Sequence, residues 1–179
     1  MAEASMKRAV QDEDLALDEE NEDTQANKYL FFKIGQESYG IGIRHIIEII
    51  ELQTISAVPD MPDYVKGVIN LRGKVVPLID LRLKFGMPAA EYTTRTCIIV
   101  TQARTESGAV LMGIVVDGVS EVLNLTGQEI EDTPDFGRDV ASQYLLGMAK
   151  VKGKVKILLD IDKVLSSQEV NDLDSMLAK

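Results

Sequence analysis

The chain has 179 residues, 45 % of them apolar and 5 % aromatic, with a formal net charge of −10. That is enough apolar material for aliphatic cores in one domain or two small ones. Nine acids against two bases in residues 1–27 carry −7 of the charge and leave −3 for the other 152 positions, so the body lacks the clustered Lys/Arg surface that a nucleic acid requires.

Residues 1–27 are acid-rich and contain no aromatic. They hold too little apolar surface to offset the entropy of ordering and are read as a disordered tail, with a transient helix open to residues 6–17. No hydrophobic leader region interrupts the acids, and no stretch of the chain reaches the roughly 18–20 apolar residues of a membrane helix. A cytosolic protein is expected. From Lys28 the character changes: YLFFKI, the turn-prone GQES, and YGIGI predict a β-hairpin. RHIIEIIE (44–51) predicts one helical turn passing into a strand. Pro59 and Pro62 punctuate a connector, with a short helix expected at 63–66. VINL and KVVPLIDL then flank an Arg72-Gly73 turn, and Pro77, lacking a donor, should face an edge or a bulge. Residues 86–94, GMPAAEYTT, read as a linker between lobes. TCIIVTQ, ARTESG and AVLMGIVV repeat the opening hairpin. Residues 126–142 form a long polar connection, and Ser166 with Glu169 has capping-box spacing ahead of a helix at 168–177.

The chain contains its own echo. Residues 67–85 align with 147–165 at six identities in nineteen columns, Gly67/Gly147, Gly73/Gly153, Lys74/Lys154, Val75/Val155, Leu78/Leu158 and Asp80/Asp160, where average composition gives roughly one. Residues 40–50 match 113–123 at Gly40/Gly113, Ile41/Ile114 and Glu48/Glu121. Two repeats are too few for a solenoid. Many short strands with regular turns predict a mainly β fold of two small lobes, about 28–90 and about 91–165, with short helices.

Catalytic chemistry finds little support. His45 is the only histidine, which excludes multi-histidine metal sites, and no nucleophile motif accompanies it. The only cysteine, Cys97, cannot close an intramolecular disulfide and sits among apolar neighbours as an inert thiol. Asp80 and Asp160 invite comparison with paired glycosidase acids. An Asp that follows a strand more often accepts N–H groups of the next turn, and the duplication favours that role. No phosphate-binding glycine loop follows a strand. No catalytic residue, metal or cofactor is therefore assigned. Glu48 and Arg72 differ from other charges in being set inside apolar phrases, and Phe136 is an aromatic in the polar loop PDFGRD. A two-lobed protein without an active site reads as a binding module, whose anchors are apolar centres with placed charges.

With these residues assembled, the chain resembles the CheW family of bacterial chemotaxis coupling proteins from about Lys28 to its end. The resemblance is carried by PDMPDYVK with GVINLRGKVVPLIDLR, by MGIVVDGVSEVLNL and by QYLLGMAKVKGKVKILLDIDKVL. It implies two five-stranded SH3-like β-barrels related by a pseudo-twofold, and a non-enzymatic scaffold bridging the cytoplasmic tips of transmembrane chemoreceptors to the histidine kinase CheA. It implies a receptor-binding set of Ile46, Glu48, Arg72, Cys97, Met112 and Val122, a kinase contact at Phe136, and a cytoplasmic location at receptor arrays reached through partners, without membrane insertion. A docking module of another receptor–kinase pathway is the alternative. The acidic tail has no counterpart in the resemblance, and Lys152 stands where the first repeat has Arg72, losing the guanidinium fork.

Overall fold

The computed structural model describes residues 27–105, 108–131 and 144–165. The acidic segment up to residue 26, Phe136 with its loop, and the helix expected at 168–177 lie outside the described residues. Among those described, no helix is long and apolar enough to cross a membrane.

β1 (Lys28–Ile34) and β2 (Glu37–Gly42) form the first hairpin, turning at Gly35 with φ 63°. A 3-10 turn, Ile43–His45, passes into β3 (Ile46–Glu51), the mixed reading expected of RHIIEIIE. The short helix expected at 63–66 does not form. Tyr64 O instead accepts the Asp80 N–H at 2.8 Å, and Val65 already opens β4 (Val65–Leu71), because its partner strand β5 (Lys74–Asp80) captures these backbone groups. There follow helix α1 (Leu81–Lys84), β6 (Cys97–Thr105), β7 (Gly108–Val116), β8 (Gly118–Asn124), β9 (Ile130–Glu131), β10 (Leu145–Val151), β11 (Lys154–Leu159) and helix α2 (Ile161–Val164).

The strands build a five-stranded sheet, β3-β6-β7-β5-β4, and a six-stranded sheet, β8-β1-β2-β11-β10-β9. The second is the same five-strand arrangement with the two-residue β9 added on β10. Its counterpart in the first sheet is the single bridge from Ser56 to Val68 beside β4. Neither sheet follows the expected chain halves of about 28–90 and 91–165. The β1–β2 hairpin pairs with β8 and β11, while the β6–β7 hairpin pairs with β3 and β5. Each sheet therefore takes a hairpin from the opposite half. Residues 86–94 accordingly join α1 to β6 within one lobe and do not link two. Pro77 lies in an interior strand. It is tolerated there because the ladder from β5 to β7 begins only at Leu78, the next residue, where the register with β4 also shifts, between Val65 and Gly67.

The repeat is exact in register. Gly67 pairs with Leu78 as Gly147 pairs with Leu158, each beside the same bulge. Arg72 and Gly73 have φ of 51° and 85°, and Lys152 and Gly153 have 52° and 77°, the double positive φ of a tight hairpin turn. Asn70 Oδ1 accepts the Gly73 N–H at 2.8 Å, so this residue of the first copy serves its own turn. Gly40 lies against Leu158 as Gly113 lies against Leu78. Asp80 and Asp160 are N-caps: Asp80 Oδ1 accepts from Arg82 N (2.9 Å) and Leu83 N (3.4 Å), and Asp160 Oδ1 from Asp162 N (3.1 Å). The structural reading of the paired acids is the one observed.

Each sheet packs one face on a core of its own. Ile69, Val76, Leu78, Ile98 and Val100 fill that of the five-stranded sheet, and Tyr29, Phe31, Leu125, Ala149 and Leu158 that of the six-stranded sheet. The opposite faces share the largest core, where Phe32, Ile41, Ile79, Ile99, Met112 and Ile114 meet.

Candidate functional site

Among the described residues β3 and β8 are outer strands of the two sheets, and they bulge at repeat-equivalent points. In β3 the register shifts between Ile46 and Glu48, and in β8 it shifts opposite the Phe31/Phe32 step. Strand side chains alternate between faces, so one inserted residue reverses which face follows. Ile46, opposite Thr101, packs on the shared core. Glu48, opposite Val100, turns to the five-stranded sheet's own side. Ile49, opposite Ile99, turns back toward the seam between the sheets and is 44 % exposed.

On the first of these faces Arg72 reaches Glu48 with both guanidinium nitrogens, Nη1 donating to Oε1 at 2.6 Å and Nη2 to Oε2 at 2.9 Å. The planar fork gives the pair a fixed geometry. The hydrogen bond and charge of Glu48 raise the Arg72 pKa above its ordinary value. Arg72 stays largely exposed while Glu48 is mostly covered, so the guanidinium presents its free edge to solvent.

On the other face an open groove of about 710 Å³ runs between the sheets. The five-stranded sheet contributes Ile49 and Cys97, and the six-stranded sheet contributes Lys33, Val119 and Ser120. Burial pushes the Cys97 thiol up, partly opposed by the backbone of Val119, and a raised thiol is a poor nucleophile. Exposed Ile47 and Val122 extend the apolar surface along the two edges. Exposed apolar side chains gathered beside a groove suit an interaction site.

Of the six residues expected to bind a receptor, the structure joins Glu48 to Arg72 and puts Cys97 in the groove. Ile46 is half-buried, and Met112 is 1 % exposed in the shared core beneath it. Val122 stands on β8 opposite Leu30, in the other sheet. Ile49, Val119 and Lys33 line the groove and were not expected there. The sequence marks Ile49 only through its alignment with Val122, both apolar one residue past the paired glutamates.

The second repeat handles its glutamate differently. Glu121 accepts from Lys156 Nζ at 2.8 Å, and this bond is the main reason its pKa is lowered. Lys156 is nearly buried, with its ammonium 4.7 Å from the Phe31 ring centroid. The position equivalent to Lys156 in the first repeat is Val76, which carries no charge. Glu48 is therefore free to hold Arg72 at the surface, whereas Glu121 is tied to an internal lysine.

Among the described residues no group of three or more His, Cys, Asp or Glu side chains could hold a metal. The model of the CheW-like domain matches residues 28–169. The chemotaxis protein CheW of Klebsiella aerogenes is 40 % identical over 154 residues, covering 86 % of this chain and 90 % of that protein. The protein of the same name from Rhizobium meliloti is 35 % identical over 138 residues, covering 77 % and 86 %. The crystal structure of the scaffolding protein TtCheW from Thermoanaerobacter tengcongensis superposes with a TM-score of 0.66 at 30 % identity, covering 76 % of this chain and 85 % of that one. Fold, repeat register and sequence agree, and the chain belongs to the CheW family of non-catalytic chemotaxis scaffold proteins.

Proposed function

We propose that this protein couples chemoreceptors to the histidine kinase CheA, binding the receptor's cytoplasmic tip across the β3 edge. The observation that carries this reading is the placement of an exposed bidentate Arg72–Glu48 pair on one face of an edge strand and, on the other, a groove where Ile49, Cys97 and Val119 stand among charged side chains. A helical segment lying over that edge would set apolar side chains on Ile49 and Val119 and read the guanidinium by charge. In this reading Met112 and Ile46 back the groove, Cys97 forms its wall, and Val122 extends it onto the second sheet. Phe136 contacts the kinase, and the protein is held at cytoplasmic receptor arrays through these partners.

Co-sedimentation of receptor-bearing membranes, kinase and this protein tests the reading. Arg72→Glu should keep the circular dichroism spectrum of the wild type at a slightly lowered melting midpoint but lose the ternary complex; unchanged assembly would sink the assignment. Phe136→Ala should lose the kinase while keeping the receptor.

A further inference from the structure

One end of the groove is closed by a contact between both sheets. Asp117, the residue between β7 and β8, uses Oδ2 to accept the Gly35 N–H at 2.6 Å and the Arg82 guanidinium. Its own N–H donates to Lys33 O at 3.0 Å. Gly35 is the turn of the β1–β2 hairpin in the six-stranded sheet, and Arg82 stands on α1, which continues β5 of the five-stranded sheet. Arg82 is itself held, because its N–H is capped by Asp80. A single carboxylate oxygen thus ties a turn of one sheet to a capped helix of the other. Asp117 and Gly35 both line the groove.

The repeat shows that this tie is not generic to the architecture. The residues equivalent to Asp117 and Arg82 are Arg44 and Asp162, the same two charges with signs exchanged. They line a smaller pocket of about 270 Å³, whose other walls come from the six-stranded sheet and α2. Among the described residues no ion pair joins them. The charge pair is closed at one of the two equivalent positions and not at the other.

We propose that the Arg82–Asp117–Gly35 contact is a latch that fixes the spacing of the groove walls and so positions them for the partner. The latch rests on the receptor-binding reading above only for its effect on affinity. Both side chains keep some solvent access, so the loss on breaking the ion pair is modest, about five-fold in Kd.

The test has two arms. Spin labels at Lys33→Cys and Glu51→Cys, in a Cys97→Ser background, report the distance across the groove by pulsed electron resonance. Asp117→Asn keeps an acceptor for Gly35 but removes the charge, and Arg82→Gln removes the other partner. Each should broaden or lengthen the distance distribution and weaken receptor-tip binding about five-fold, and the double variant should add nothing further, as for two groups acting through each other. Distances unchanged in both single variants overturn the latch. A changed distance with unchanged affinity overturns its positioning role. If the wild-type chain binds no receptor tip, the functional reading fails, and the distance arm still decides the latch.

Discussion

Glu48 and Arg72 form a two-point ion pair although β3 and the β4–β5 turn belong to opposite edges of the five-stranded sheet. The Ser56–Val68 bridge draws the same edges together through backbone bonds of 2.9 Å in both directions. The pair therefore has a structural partner in the fold as well as an exposed charge to offer.

Charge reversal separates those two roles. Arg72→Glu combined with Glu48→Arg restores an ion pair of opposite polarity, and the double variant should melt like the wild type. Receptor co-sedimentation should remain lost, because the sign presented to the partner is reversed. Recovery of binding by the double variant would show that the pair acts only within the fold.

The strand exchange depends on close approaches at Gly40 and Gly113, of which Gly113 is the tighter against its partner leucine. A Cβ on Gly113 would stand 2.4 Å from Leu78 Cδ2 and 2.9 Å from Ile98 Cγ2. Gly113→Ala should cost about 1–3 kcal/mol through overpacking. Adding Leu78→Val should cost less than the sum of the two changes, measured by chemical denaturation.

Asp80 and Asp160 cap equivalent helices, but Asp80 carries a further load. Its Oδ2 accepts the Tyr92 hydroxyl at 3.0 Å, and burial, followed by the Asp80 charge, raises the Tyr92 pKa. Asp160→Ala should cost about 1 kcal/mol, the usual value of a lost cap, and Asp80→Ala about 2 kcal/mol because a part-buried hydroxyl also loses its acceptor. Spectrophotometric titration of Asp80→Asn should find Tyr92 ionising at lower pH than in the wild type.

How much of this was readable beforehand varied with the kind of information. The hairpins, the Arg72-Gly73 turn and the capping role of Asp80 and Asp160 are local, fixed by turn chemistry and periodicity. The expected helix at 63–66 failed because Tyr64 and Val65 are claimed by β5, through Asp80 and Ile79, 16 and 14 residues away. Hairpin exchange left no mark in either half, since a strand pattern states which face is apolar and not which strand lies beside it. The bulges at Ile47 and Ser120, which decide which face Glu48 and Ile49 take on β3, and Glu121 and Val122 on β8, are equally silent. Asp117 and Arg82 did leave a trace, in two alignment columns where the charges are exchanged, which has meaning only once the sheets are seen to cross.

Acid should weaken the Glu121–Lys156 pair. The folded-state pKa of Glu121 lies below its ordinary value of 4.5, so its pair with Lys156 adds stability above that value and loses it as pH falls through the lowered one. Lys156→Met should remove this contribution. Its stability should fall less steeply than the wild type's below pH 4.5, followed by urea denaturation across the acid range.

The reciprocal hairpins also set an order of events on the ribosome. The five-stranded sheet needs nothing beyond β7 and can close once Val116 has emerged. The β1–β2 hairpin, made first, meets β11 only through pairs such as Gly40 with Leu158, 118 residues later. Until then Phe31 and Phe32 lack part of the core that finally buries them, so the first strands synthesised are among the last to be sheltered, and a nascent chain stalled after residue 116 exposes them to chaperones.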